Sequence, residues 1–243
     1  MDLVRAVITW FANPSHWSGA NGVPDRLAQH VGISAASLAI AVAIALPIGL
    51  YIGHTGRGQA LAINAANLGR AVPSLAAIAI VVPFTQMIDP ARGFNLYPTI
   101  IAMVVLAMPP ILVNSYAGIA EVDRDLVESA RGMGMTERQI LRGVEIPLAI
   151  PVIMAGVRIA VVINIGITAI ATYIGAGGLG AFISRGISQT DSRQLITGAL
   201  AVSLLAIAAD YLLLWVQHRL TPVGIRTPRP WTRRRGLVRT APA

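Results

Sequence analysis

The run Val31–Gly53 contains no charged side chain. Helical at 1.5 Å per residue it reaches about 35 Å, enough to cross a bilayer core of about 30 Å. No soluble strand or surface helix needs so long a stretch without charge. Four further apolar stretches follow, at about 59–84, 97–120, 147–174 and 194–216. Only 12% of the 243 residues are charged, against about a quarter in a soluble domain. The expected fold class is therefore all-α. It is a polytopic membrane helical bundle of about five transmembrane helices, with 27–217 as its membrane domain.

Several spans carry residues that a lipid-facing helix avoids. Arg70 lies close to Pro73, Arg158 near one-third depth of the fourth span, Asn164 at its middle, and Asp210 near the end of the fifth. A lone arginine at membrane depth costs about 2.5–3.5 kcal/mol on insertion scales. Pairing with Asp210 offsets part of that. These four are candidates for inter-helix polar contacts or for the lining of a pathway. The adjacent Pro109 and Pro110 break the hydrogen-bond ladder of the third span, so a kink or an unwound turn is expected there.

The flanks read differently. Residues 1–26 carry Trp10, Phe11 and Trp17, which suit a membrane–water interface. The tail 218–243 holds seven arginines and no acid, the pattern of a disordered basic segment beside anionic lipid. It lacks the aromatic interleaving of a nucleic-acid binder, and no nucleic-acid partner is expected. Gly175 to Gly180 resembles a phosphate loop, but no Lys-Ser/Thr follows it. A tight turn is the better reading. The chain has no cysteine, which excludes disulfides and thiolate sites. Its four scattered histidines form no ligand spacing. No metal site, no bound cofactor and no catalytic residues are expected, which argues against a membrane-embedded enzyme.

One polar segment of length interrupts the middle of the chain, between the third and fourth spans. It runs from Glu121 to Pro147. Met133, Met135, Ile140, Leu141 and Val144 recur at roughly helical spacing, with Arg131, Glu137, Arg138 and Arg142 between them. The pattern predicts a short helix, a turn at Gly132 and Gly134, and a second amphipathic helix opened by Thr136 and ended at Pro147. A polar knob between two membrane helices suits docking into the groove of a partner.

The same segment resembles the signature of ABC importer permeases: Glu-Ala-Ala, three residues, Gly, nine residues, Ile-x-Leu-Pro. Here it reads Glu128-Ser129-Ala130, three residues, Gly134, nine residues, Val144-x-Ile146-Pro147. Ala71-Val72-Pro73-Ser74-Leu75-Ala76, Gly156-Val157-Arg158-Ile159-Ala160 and Ile174-Gly175-Ala176-Gly177-Gly178-Leu179-Gly180 add to the likeness. Together they resemble the permease subunits of the glycine betaine/carnitine/choline/proline class, with methionine permeases as neighbours by motif. The resemblance implies the type I ABC importer transmembrane fold with a coupling helix. Glu128, Ser129, Ala130, Gly134, Val144, Ile146 and Pro147 would then contact the ATPase. It implies that ATP and Mg bind in that separate subunit. It also implies an extracytoplasmic substrate-binding protein and a second permease subunit, either the same chain or a paralogue. A non-transporting membrane scaffold is the rival of another class, and it would not need this segment.

Arginine placement gives the expected orientation in a bacterial inner membrane. With the N-terminus outside, the turn after the first span, the central polar segment and the tail hold twelve of nineteen arginines, and the outer pieces hold five. The positive-inside rule then puts the C-terminus and the central segment in the cytoplasm.

Overall fold

The computed structural model describes residues 2–91, 93–222 and 224. Among them every regular element is helical: α1 (Asp2–Ala12), α2 (Val23–Thr55), α3 (Gln59–Ala71), α4 (Ser74–Ile88), α5 (Leu96–Ala120), α6 (Arg124–Gly132), α7 (Glu137–Ile140), α8 (Ile146–Ala171), α9 (Gly180–Ser188) and α10 (Ser192–Leu220). A π-helical segment, Leu141–Glu145, joins α7 to α8 without a break. The basic tail expected over 218–243 lies outside the described residues beyond Pro222, Gly224 apart.

Four helical stretches among the described residues are long and apolar enough to cross a membrane: α2, α5, the continuous Glu137–Ile174 and α10. The expected second span at 59–84 is not one helix. It breaks at Val72 and Pro73, both extended (ψ 121° and 135°), into α3 and the 15-residue apolar α4. Proline disfavours helical geometry in the residue before it and has no N–H to continue the ladder. The opposite occurs in α5. Pro109 and Pro110 lie inside a continuous helix, both buried, and no turn unwinds.

The core is the packing of α2, α5 and α8. Ala41 and Ala45 of α2, Ala107 and Ile111 of α5 and Ala160 of α8 are fully buried together. Small residues let the backbones approach, as membrane helices require when lipid is as apolar as leucine. A Cβ on Gly49 would stand 2.7 Å from Ser115 Cβ, and one on Gly156 would stand 2.5 Å from the Pro110 carbonyl. Those two glycines set the α2–α5 and α5–α8 separations. Close packing on both sides also explains why the Pro109–Pro110 step stays helical.

Two connections are more ordered than the sequence indicates. The polar stretch after Gly180 forms α9, and Gly186 and Gly198 allow it to lie directly on α10. At the N-terminus Trp10 stacks on His16 with ring centroids 4.0 Å apart and meets Phe182 of α9 edge-on.

Candidate functional site: the Glu128–Pro147 segment and its ties to α2

Asp123 caps α6 by accepting from Asp125 N at 2.9 Å. At the other end Met135 N donates to Ala130 O and Gly134 N to Arg131 O. Gly134 has φ +84°. That pair of bonds around a left-handed residue is a Schellman cap, which glycine occupies without steric cost. The glycine of the motif therefore ends α6 and turns the chain. Gly132, by contrast, lies within the helix.

Across the turn, Arg131 grips Glu137 with Nε to Oε1 at 2.8 Å and Nη2 to Oε2 at 3.0 Å. Glu137 raises the already high pKa of that guanidinium further. Gln139 Oε1 accepts from Thr136 N at 2.8 Å, which closes the start of α7. Ala130 and Ile140 are buried and seat the turn. Glu128, Ser129 and Gly134 are exposed, as is Met133 at the tip, while Val144, Ile146 and Pro147 are half-buried.

The second amphipathic helix does not end at Pro147 as the pattern suggests. Ile146 N bonds back five residues to Leu141 O, and the helix runs on into α8. Pro147 lacks the N–H that a regular α-helix would offer to Gly143, and the wider π turn accommodates that loss.

Two residues that carried no sequence signal hold this segment to α2. His54, in the last turn of α2, has Nδ1 2.6 Å from Glu145 Oε2 and Nε2 3.4 Å from Glu137 Oε2. Glu145 is only 5% exposed. It fills the variable position of the Val-x-Ile-Pro motif, and His54 stands 91 residues away. No local pattern could have joined them.

The polar residues of the spans separate into two places. Arg158 pairs with Asp210 across α8 and α10, Nε to Oδ1 at 2.7 Å and Nη2 to Oδ2 at 2.8 Å. Asn164 lies six residues on, about 120° around the helix, and faces α2, where Nδ2 donates to Ser37 Oγ at 3.0 Å. Its Oδ1 is buried with no protein partner among the described residues. The side chain of Arg70 lies outside the described residues; its backbone belongs to α3.

The glycine turn after α8 is a fastening. Gly175, Gly177 and Gly178 are all left-handed. Gly178 N donates to Gln29 Oε1 at 3.1 Å and Leu179 N to His30 Nδ1 at 3.2 Å. His30 Nε2 then donates to Ile165 O at 3.0 Å. Those amides are spent on α2 and do not face a phosphate. No group of three or more metal-binding side chains is present among the described residues.

A family model described as "Binding-protein-dependent transport system inner membrane component" matches residues 45–222. The chain is 37% identical to the carnitine transport permease protein OpuCB of Listeria monocytogenes, over 92% of this chain and 97% of that one. It is 41% identical to the osmoprotectant import permease protein OsmW of Salmonella typhimurium, over 82% and 91%. It is 36% identical to the choline transport system permease protein OpuBD of Bacillus subtilis, over 92% and 94%. Among solved structures, a chain of the inward-facing MetNI methionine ABC transporter superposes with a TM-score of 0.69 at 24% identity, covering 80% of this chain and 94% of that one. That likeness carries the fold, the type I ABC importer transmembrane bundle expected from the motifs. The match spans α5, α8, the polar segment between them and the second part of α2, and the chain belongs to the binding-protein-dependent transport system inner membrane component family.

Proposed function

We propose that this chain is the permease subunit of an ATP-driven importer for osmoprotectants of the glycine betaine, carnitine and choline type. The observation that carries the reading is its 36–41% identity, over most of its length, to permeases named for carnitine, choline and osmoprotectant import. The solved methionine transporter is similar at 24% identity, a likeness of fold.

Within that reading Glu128, Ser129, Ala130, Gly134, Val144, Ile146 and Pro147 present the coupling element to a separate ATPase subunit, where ATP and Mg bind. The chain itself performs no chemistry. An extracytoplasmic binding protein delivers the solute. A second permease subunit completes the pathway, and the similarity to both the OpuCB and OpuCD proteins of Listeria monocytogenes suits either a copy of this chain or a paralogue. The N-terminus faces outside, residues 27–217 form the membrane domain, and the basic tail lies on the cytoplasmic leaflet. Arg158 and Asp210 border a cavity with Ala155, Ile159, Val162 and Ile163. A charged pair beside a cavity supports reading it as a polar lining met by a dipolar solute.

The test is Gly134→Trp. At φ +84° a bulky side chain is strained and also blocks the docking face. Uptake of radiolabelled betaine and co-purification of the ATPase both fall, while membrane insertion stays normal. Undiminished uptake would remove the coupling assignment.

A further inference from the structure

The π segment and the start of α8 reach the core through apolar contacts. Leu50 of α2 packs near Leu141 and Ile146 around the buried Ile119, Ala149 and Ile153. Such contacts are non-directional and permit sliding and rotation. The directional link is His54. Its two ring nitrogens face carboxylates on two different elements, Glu145 of the π segment and Glu137 of α7. Glu137 is in turn gripped by Arg131 of α6. The chain Arg131–Glu137–His54–Glu145 thus ties four elements at one point. Arg124 and Glu128 border the same groove.

Glu145 makes the tie costly to break. A nearly buried carboxylate stays charged only with a hydrogen-bonded partner, and its only side-chain partner among the described residues is His54. Glu145 also begins the unbroken rise into α8. Whatever moves the segment therefore moves the ends of α2 and α8 as one body.

We propose that His54 is a positioning residue for transport. It pins the coupling segment to α2, so that displacement of the segment becomes rocking of the α2–α8 pair and is not absorbed by local slippage. This rests on the reading of Glu128–Pro147 as the coupling element. The pin itself is drawn from the contacts of His54 alone.

The experiment uses the whole transporter in proteoliposomes, normalised to assembled complex. Radiolabelled betaine, carnitine and choline are each offered, and solute moved per ATP hydrolysed is counted. His54→Ala lowers maximal uptake by about tenfold and solute per ATP by about threefold, the range seen when a coupling contact is removed. The KM for external solute stays within about twofold, because nothing at the delivery site has changed. His54→Gln, which keeps a donor for Glu145 but cannot bridge to Glu137 as well, recovers part of the loss. The absence of native cysteine allows a second readout, with spin labels on Arg57→Cys and Arg138→Cys. Their distance distribution broadens in His54→Ala. Unchanged solute per ATP together with an unchanged distribution overturns the proposal, as does a loss fully explained by less complex. If Gly134→Trp abolishes uptake while His54→Ala transports normally, the pin alone is wrong. If Gly134→Trp transports normally, the coupling reading fails first.

Discussion

The two ends of α2 are both fastened to the α8 stretch, by opposite means. At one end Gln29 and His30 bind backbone amides of the glycine turn, and His30 also reaches the Ile165 carbonyl. His30 is fully buried and its contacts are uncharged donors and acceptors. At the other end His54 meets carboxylates, one buried and one exposed, and the exposed one is shared with Arg131. Bonds of side chain to buried backbone have few alternative partners, so they fix a geometry. The outer contacts, of the exposed Glu137 with His54 and Arg131, exchange readily with water and with a partner's charges, above the largely buried His54–Glu145 contact. The difference suggests a static end and a working end on the same helix.

The sharpest break of that comparison is His30→Ala. It strands the Leu179 N–H, removes the second bond to the Ile165 carbonyl and leaves a cavity in a packed seam. A stranded buried N–H costs about 1–3 kcal/mol and the cavity adds to it, so thermal unfolding in detergent moves strongly downward. Transport per folded complex changes little. A stable His30→Ala protein with impaired coupling would reverse the roles of the two ends.

The ion pair of α8 and α10 comes next. Arg158→Ala leaves Asp210 unpaired at membrane depth, at a cost of about 2–3 kcal/mol. Asp210→Asn is milder, because the amide still accepts from the guanidinium. If both variants lose uptake at unchanged stability, the pair serves the pathway. If both lose stability alone, it serves as a bridge.

The smallest effect belongs to the exposed arm of the working end. Glu137→Gln frees Arg131 but keeps a hydrogen-bonding side chain, and both groups are more than half exposed. Unfolding is expected to be unchanged within error, since exposed ion pairs contribute little, while uptake falls a few-fold at most. A marked loss of stability would show that this arm is structural after all.

Much of this was readable from the residues. Charge-free runs fixed the membrane class, and the spacing from Glu128 to Pro147 marked out a helix–turn–helix segment, because both depend on local composition. The division of the second span was signalled by Val72-Pro73, yet continuous hydropathy masks a break that only backbone geometry decides. The Pro109–Pro110 step shows the reverse, since α5 stays helical, packed between its neighbours, through a step that proline alone would disrupt. Gly134 was recognisable as a turn residue, though not as the left-handed member of a helix cap. That an intramembrane arginine would pair with Asp210 followed from the cost of a lone charge, but the choice of Arg158 over Arg70 did not. The His54–Glu145 contact had no such logic, because an isolated histidine at a helix end and a glutamate inside a motif are each unremarkable in sequence.

The central claim is that the Glu128–Pro147 segment meets a motor on the cytoplasmic side. With no native cysteine, the single substitution Met133→Cys, at a side chain 77% exposed, gives one unambiguous label. The account predicts that a membrane-impermeant maleimide reacts in inside-out vesicles and not in right-side-out ones, and that added ATPase subunit protects the site. Reaction from the outer face, with no protection by the ATPase, would contradict it.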